Sequence, residues 1–475
     1  MKGFTKLFSL LLVVAVLAVS CKDEKQAGTL AFDAPALFIA ELDGAETIGF
    51  SAVNIKTYSI TSKPTGWPDA QIDAAKQTIT IIAPAEMKDG VAQSGSLILS
   101  GTSYDGLLTS ATLFVGMAQK SDLSAKGKAN SYMVKDKNKL YTFDAMHKGN
   151  GGSELATARV ELLWQSTASM VQYVAFDKGV ASFYIGASED DKPKEGNALI
   201  AAYDQQDQLI WSWHIWATDY EATSVSMNGF QLMDRNLGAL NNANSTPEEI
   251  LASYGLYYQW GRKDPFIGPS NYQASNGASA VMYNAKGSRI KLQTAASSAE
   301  TGTLDYAIQH PLTFITGVEA SANDWLWSDH SDALWGVLKF DNDPCPFGWM
   351  VAPATAFAGL QIKEALNVGY ETYANKYAWT LTKGDAESLF IGAGRRIYTN
   401  STIQNIYNPL PARAALEAQP WVGYYWTSGA QSGTNSLALH FWFNKADVAT
   451  SGVNAASPQA RANGMQVRCV KQTFR

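Results

Sequence analysis

Cysteine and histidine are scarce in this chain: three of the first, at positions 21, 345 and 469, and five of the second in 475 residues. No His-Glu-x-x-His, Gly-x-Ser-x-Gly, phosphate-loop or Cys-x-x-Cys pattern occurs, so the signatures of zinc hydrolysis, serine esterases, nucleotide binding and dithiol chemistry are missing. No catalytic residue, metal set or cofactor is assigned. Glycoside hydrolysis stays open, because it needs only two carboxylates placed by the fold, and 43 acidic residues offer too many pairs to choose from. Charge is also thin, at 17% of residues with a formal net of -6, which argues against nucleic acid as a partner. Beyond residue 21 no apolar run is long enough to span a bilayer, and no low-complexity or charge block appears. What the chain has instead is apolar weight, 46% of residues, over a length too great for one ordinary core. Two or three domains are expected.

The N-terminus carries the clearest signal. Residues 1–20 run from a short basic head (Lys2, Lys6) through a Leu/Val/Ala core to Leu17-Ala18-Val19-Ser20, immediately before Cys21. The core is short for a membrane span and ends in small residues, which reads as a lipoprotein signal peptide with Cys21 as the lipidated residue; a cleaved secretory signal is the alternative. Each buried methylene adds roughly 0.8 kcal/mol, so two or three acyl chains on Cys21 would anchor a soluble ectodomain firmly. Removing residues 1–20 takes away two lysines and no acid, moving the formal charge from -6 to -8. Residues 21–30 are then a lipidated tether. Its Lys22-Asp23-Glu24-Lys25 run resembles the export signal of Bacteroidetes surface lipoproteins, which implies an outer-membrane protein facing outward; a plain solvated tether would leave it facing the periplasm. With Cys21 lipidated, Cys345 and Cys469 remain in an oxidising compartment and are expected to form a disulfide, free buried thiols being the alternative.

The fold class expected is multi-domain, with two all-β domains followed by an α+β domain. Residues 31–119 hold short strands such as 78–82, 96–100 and 111–115, β-branched or apolar and separated by turn residues, for which an immunoglobulin-like sandwich is the natural packing. Pro64-Thr65-Gly66-Trp67-Pro68 resembles a motif of Ig-like modules in bacterial surface lipoproteins, and Trp67 is read as capping the sandwich core. A linker at 121–127 leads to a second β-rich domain, 128–222. There the runs 198–203 and 209–216 flank Asp204–Gln208 as a hairpin. Alternation puts Trp211, Trp213 and Ile215 on one face and Ile210, His214 and Trp216 on the other, so both faces are expected to be covered, with His214 a hydrogen-bonded structural residue.

Residues 223–475 have a different texture. Thr246-Pro247-Glu248-Glu249 carries a capping box and a proline at the first helical position, so a helix is expected to start there and run toward Gly261. A second helix is expected near 356–367, and strands at 424–427, 437–441 and 465–470. Gly392-Ala393-Gly394-Arg395-Arg396 reads as a turn followed by a basic strand.

Five dispersed motifs follow in order: Met233-Asp234-Arg235-Asn236-Leu237-Gly238-Ala239, then residues 257–266 (Tyr-Tyr-Gln-Trp-Gly-Arg-Lys-Asp-Pro-Phe), Asp343-Pro344-Cys345-Pro346-Phe347-Gly348-Trp349, Tyr425-Trp426-Thr427-Ser428 and Val467-Arg468-Cys469-Val470. Together they resemble the Fibrobacter succinogenes major paralogous domain of fimbrillin-like Bacteroidetes surface lipoproteins, over about half of the chain. The resemblance implies a loop-rich, C-type-lectin-like α+β domain stapled by Cys345 and Cys469. Where that family has Arg-Val-Pro-Thr after the Gly-Trp pair, this chain has Met350-Val351-Ala352-Pro353-Ala354-Thr355. The C-type-lectin-like fold is shared with formylglycine-generating enzymes, whose chemistry needs a reactive cysteine pair; a disulfide would leave none.

The best local candidate for a ligand site is Asn323–Asp332, in which Trp325 and Trp327 could stack on a sugar and Asp324 and Asp329 supply oxygens. Its spacing matches no calcium loop, and a packed surface loop is the plainer reading. The expectation is therefore a non-enzymatic surface lipoprotein, an adhesin that binds a glycan or an extracellular protein from a β-rich stalk. A fimbrillin-like pilus subunit that exchanges strands with other protomers, or a polysaccharide hydrolase, are the alternatives.

Overall fold

The computed structural model describes residues 25–188, 190, 192–271, 276–363, 378–404, 421–431, 433–443 and 452–472; the segment read as signal and lipidation site lies outside them. The chain folds as two compact units, residues 1–116 and 117–475, both mostly β-sheet. Among the described residues no helix is long and apolar enough to cross a membrane.

The first unit is a β-sandwich. Thr29–Phe32, Ala45–Val53, Thr78–Ile82 and Gln71–Asp73 form one sheet in that order, and Ala36–Ile39, Leu108–Met117, Ser94–Ser103 and Ile55–Ser62 the other. Alternate residues point inward, as a two-residue period requires: Ile48, Phe50, Ile79 and Ile81 from one sheet meet Leu97, Leu99, Leu113 and Val115 from the other, all buried. Trp67 is buried, and its indole N–H donates to the Ala92 carbonyl at 2.7 Å, which makes it part of this core.

In the second unit the segment read as a linker is structural. Gln119–Asp122 pairs in parallel with Lys139–Asp144 at the edge of a sheet completed by Val180–Ile185 and Val171–Asp177. Facing it is a six-stranded sheet built on the antiparallel hairpin Gly196–Tyr203 and Leu209–Ala217. Leu209–Ala217 lies between two cores. Trp211, Trp213 and Ile215 pack toward the facing sheet, where the Phe143 and Trp213 rings are 5.0 Å apart, while Trp216 joins a second core with Trp260, Trp325, Trp335 and the disulfide. His214, on the second face, is buried between the Ser131 hydroxyl (3.0 Å) and the Asn197 amide oxygen (2.9 Å). Burial holds its pKa down to about 3, so the ring is neutral. The blocks on either side of residue 222 share this sheet, because Gln165 pairs with Tyr283 of the short hairpin Met282–Tyr283 and Arg289–Ile290.

The dispersed motifs converge. Arg468 donates to the Asn236 amide oxygen (Nη2, 2.8 Å), and Asn236 donates to the Tyr425 hydroxyl (3.2 Å). The Trp260 indole donates to Thr427 O (3.0 Å) and the Trp426 indole to Tyr258 O (2.8 Å). Cys345 and Cys469 are bonded, 124 residues apart in sequence. Asp343 accepts from the Cys345 and Val351 amides, both at 2.9 Å, and from Lys339 at 3.0 Å, so this motif is a buried, neutralised turn that holds the bridge. Its carbonyl, with that of Asp341, also accepts from Asn130 of the middle block.

The helix at Pro247–Ser253 has the expected capping box, Thr246 Oγ accepting from Glu249 N–H and Glu249 from Thr246 N–H, both at 3.2 Å. It stops at Ser253, short of Gly261, because Gly255 takes φ +70° just past the end. The second expected helix is corrected in its described part. Ala354–Phe357 is one 3-10 turn, Gly359 at φ +70° breaks it, and Gln361–Ile362 is already strand; residues 364–377 lie outside the described residues.

Candidate functional site

The loop proposed from sequence is organised around a buried arginine. Ala322 and Asn323 take φ +50° and +65°, turning the chain so that Asp324 and Trp325 point inward. Asp324 accepts from the Leu326 amide (3.1 Å) and from His330 Nδ1 (3.0 Å), and Arg461 Nη1 lies 3.8 Å from its Oδ2. Burial raises its pKa above the ordinary carboxylate value, and the Leu326 amide, His330 and Arg461 only partly offset this. Arg461 is itself buried. It donates to Ser436 Oγ (3.0 Å), His330 O (3.0 Å) and Ser331 O (3.2 Å), pairs with Asp332, and lies 4.5 Å from the Trp260 ring centre. The loop is thereby tied to the C-terminal sheet.

The four residues singled out in this loop therefore separate. Trp325 is 0% exposed, with its indole N–H bonded to Trp260 O at 2.8 Å, and Asp324 is equally buried. Trp327 is half-buried and Asp329 exposed. The expectation of a paired-tryptophan platform is corrected: Trp325 has no ring surface to offer a sugar, because the core of the unit already occupies it.

An open groove lies elsewhere in the same unit, about 450 Å³ in volume, between the tip of the 196–217 hairpin and the end of the short helix Leu304–Gln309. Local chemistry holds both walls. At the hairpin tip Asp204 Oδ1 accepts from the Gln206 and Gln208 amides, both at 2.9 Å, and Asp207 sits at φ +68°. Tyr203, half-buried, has the Arg159 guanidinium 3.7 Å from its ring centre, and Arg159 pairs with Asp207. Across the groove His310 stacks on Tyr306 at 3.9 Å and donates from Nδ1 to the Tyr306 carbonyl (2.9 Å). Gln208 and Gln309 complete the polar lining, with Leu163, Pro311 and Leu312 as its apolar part.

Buried Arg262 fixes that helix end. It donates to Ala307 O (3.1 Å) and His310 O (3.3 Å), carbonyls that the helix leaves open at its C-terminus, and to Thr313 O (2.9 Å) on the strand that follows. Desolvation lowers its pKa to about 10, so it stays charged at neutral pH. Next to it Lys263 bonds Asp264 at 2.7 Å and also donates to Ser212 on the 209–217 strand, a buried cluster that pins the motif to the middle sheet. Among the described residues no three His, Cys, Asp or Glu side chains gather as a metal set. Sequence reasoning missed the groove because its residues come from segments more than 90 positions apart. The one available signal was the Asp204–Gln208 turn beside Tyr203.

No family model and no curated protein matches the chain. Among solved structures it is similar to a Bacteroides ovatus mixed-linkage glucan utilization locus protein, SGBP-B, in complex with a heptasaccharide, at 9% identity and TM-score 0.12 over 37% of this chain and 41% of that one. It is similar also to the I67–I69 fragment of titin, at 15% identity and TM-score 0.14 over 41% and 66%, and to protocadherin gamma B7 domains 1–4, at 9% and 0.15 over 46% and 57%. The chain thus spans less than two thirds of each. Scores of this size carry no argument about fold or function.

Proposed function

We propose that this chain is a non-enzymatic, lipid-anchored protein of the outer-membrane surface that binds a glycan, with residues 223–475 a C-type-lectin-like domain of the Fibrobacter succinogenes major paralogous kind. The observation that carries the binding role is the groove at Tyr203. It sets an aromatic ring, two carboxamides, a carboxylate and an imidazole beside apolar side chains, the mixture that recognises a molecule with both C–H faces and hydroxyls. Two ionisable groups whose pKa values burial lowers, His214 and Lys263, are in the core, each held by named protein partners, and brace the frame. The lipid anchor and outward orientation rest on residues 17–25, and the family assignment on the five motifs.

The test is a glycan array probed with the full chain and with two variants. Saturable binding to a glycan that falls at least about tenfold in Tyr203→Ala/Gln309→Ala and persists in Trp327→Ala is the expected result. Silence across the array would overturn the reading in favour of the pilus subunit, and loss in Trp327→Ala alone would return the site to the 323–332 loop.

A further inference from the structure

A second pocket, sharing no lining residue with the Tyr203 groove, lies between two hairpin turns and encloses about 520 Å³. One wall is the hairpin that pairs Met282 with Ile290, whose flanking residues Arg289 and Lys291 are both exposed. The other is the turn after Arg395–Arg396, where Ser401 takes φ +61°. That strained position delivers the Ser401 carbonyl to Arg396 Nη1 at 2.9 Å.

Arg396 is the buried cation on this pocket's lining, bonded like Arg262 and Arg468 to neutral acceptors. It is 2% exposed, and its other hydrogen bonds go to Ile267 O (2.6 Å) and Ser279 Oγ (2.8 Å), all of them neutral acceptors. Its Nε has no partner among the described residues. A buried cation without a counter-charge is costly, and proteins normally place a carboxylate against it. Among the described residues no Asp or Glu lines the pocket, and Arg289 and Lys291 add two more cations. In a chain of net charge -6, this is a local field of opposite sign. Burial lowers the Arg396 pKa only to about 10, so the guanidinium keeps its charge at neutral pH. The hydroxyl of Thr402 and the amide of Asn400 lie on the same rim, while Met282 and Ile290 make an apolar wall.

We infer that this pocket is an oxyanion site for an acidic saccharide, with Arg289, Lys291 and Arg396 receiving a carboxylate or sulfate ester borne on the sugar. The cations supply charge-assisted hydrogen bonds, the rim meets ring hydroxyls, and the apolar wall takes a C–H face. The site stands independently of the Tyr203 groove and does not need it.

The experiment is calorimetric titration of the full chain with glucuronate, glucose 6-sulfate and, as the uncharged reference, glucose. Both acidic sugars should bind at least about tenfold tighter than glucose, and Arg289→Gln/Lys291→Gln should weaken both by at least about tenfold while leaving the unfolding temperature unchanged. The two lysine- and arginine-directed changes are at the surface, so the test survives even if Arg396→Gln fails to fold. Which acidic sugar binds tighter distinguishes a uronate ligand from a sulfate ester. Acidic sugars that bind no tighter than glucose, or a double variant that binds them as the parent does, would overturn the site.

Discussion

Two buried arginines in the same unit have opposite surroundings. Arg461 is closed in by its own chain: Asp332 pairs with it, Asp324 lies 3.8 Å away, and the loop carbonyls of His330 and Ser331 accept from it. Among the described residues Arg396 has only neutral acceptors, and it looks onto a pocket with two further cations. The first arrangement uses a charge to fasten a loop. The second keeps a charge in reserve, and what distinguishes them is the counter-charge, not the burial, since both side chains are almost fully out of water.

The comparison is sharpest in the 323–332 loop, whose aromatic and acidic residues look like a ligand site when read along the chain. If Arg461 fastens it as core, Trp325→Ala should cost about 3–5 kcal/mol by chemical denaturation, the usual loss for a fully buried large aromatic. Trp327→Ala, at a half-buried position, should cost only about 1 kcal/mol. Equal costs would show that the loop is not anchored as described.

A third buried cation-forming group, His214, responds to the same missing counter-charge by giving up its proton. With a folded pKa of about 3 against an unfolded value near 6.5, the unfolded state binds the extra proton. The sign follows: the stability that neutral His214 provides is whole above pH 6.5 and is lost as pH falls toward 3, by roughly 1.4 kcal/mol per unit in that interval. Through His214 alone, stability should therefore fall by up to about 3 kcal/mol between pH 7 and 4. His440, whose pKa burial lowers to about 4, adds a fall of similar size, so His214→Gln, an uncharged replacement, should remove about half of the combined slope. An unchanged slope in the variant would contradict the assignment.

Much of the β architecture was legible because it rests on local period. Residues 78–82 coincide with a strand, the 198–216 hairpin turns at Asp204–Gln208, and alternation correctly gave the 209–217 strand two buried faces. The capping box was legible for the same reason, being four consecutive residues. What was not legible depends on partners far away in the chain. Arg461 reaches the 323–332 loop across about 130 positions, and nothing near Trp325 announces it. Arg395-Arg396 did read as a basic strand, but which described residues surround Arg396 depends on where the 282–290 hairpin comes to rest. In its described part the helix expected near 356–367 is not formed, because apolar spacing was weighed and the backbone of Gly359 was not.

The most direct test of the contrast between the two arginines is anomalous diffraction from crystals of the protein soaked in selenate, an oxyanion whose selenium can be located without reference to the protein. The account predicts a selenium peak within hydrogen-bond reach of Arg289, Lys291 or Arg396 and none beside Arg461. No peak in the Arg396 pocket, or one beside Arg461 in its place, would contradict it.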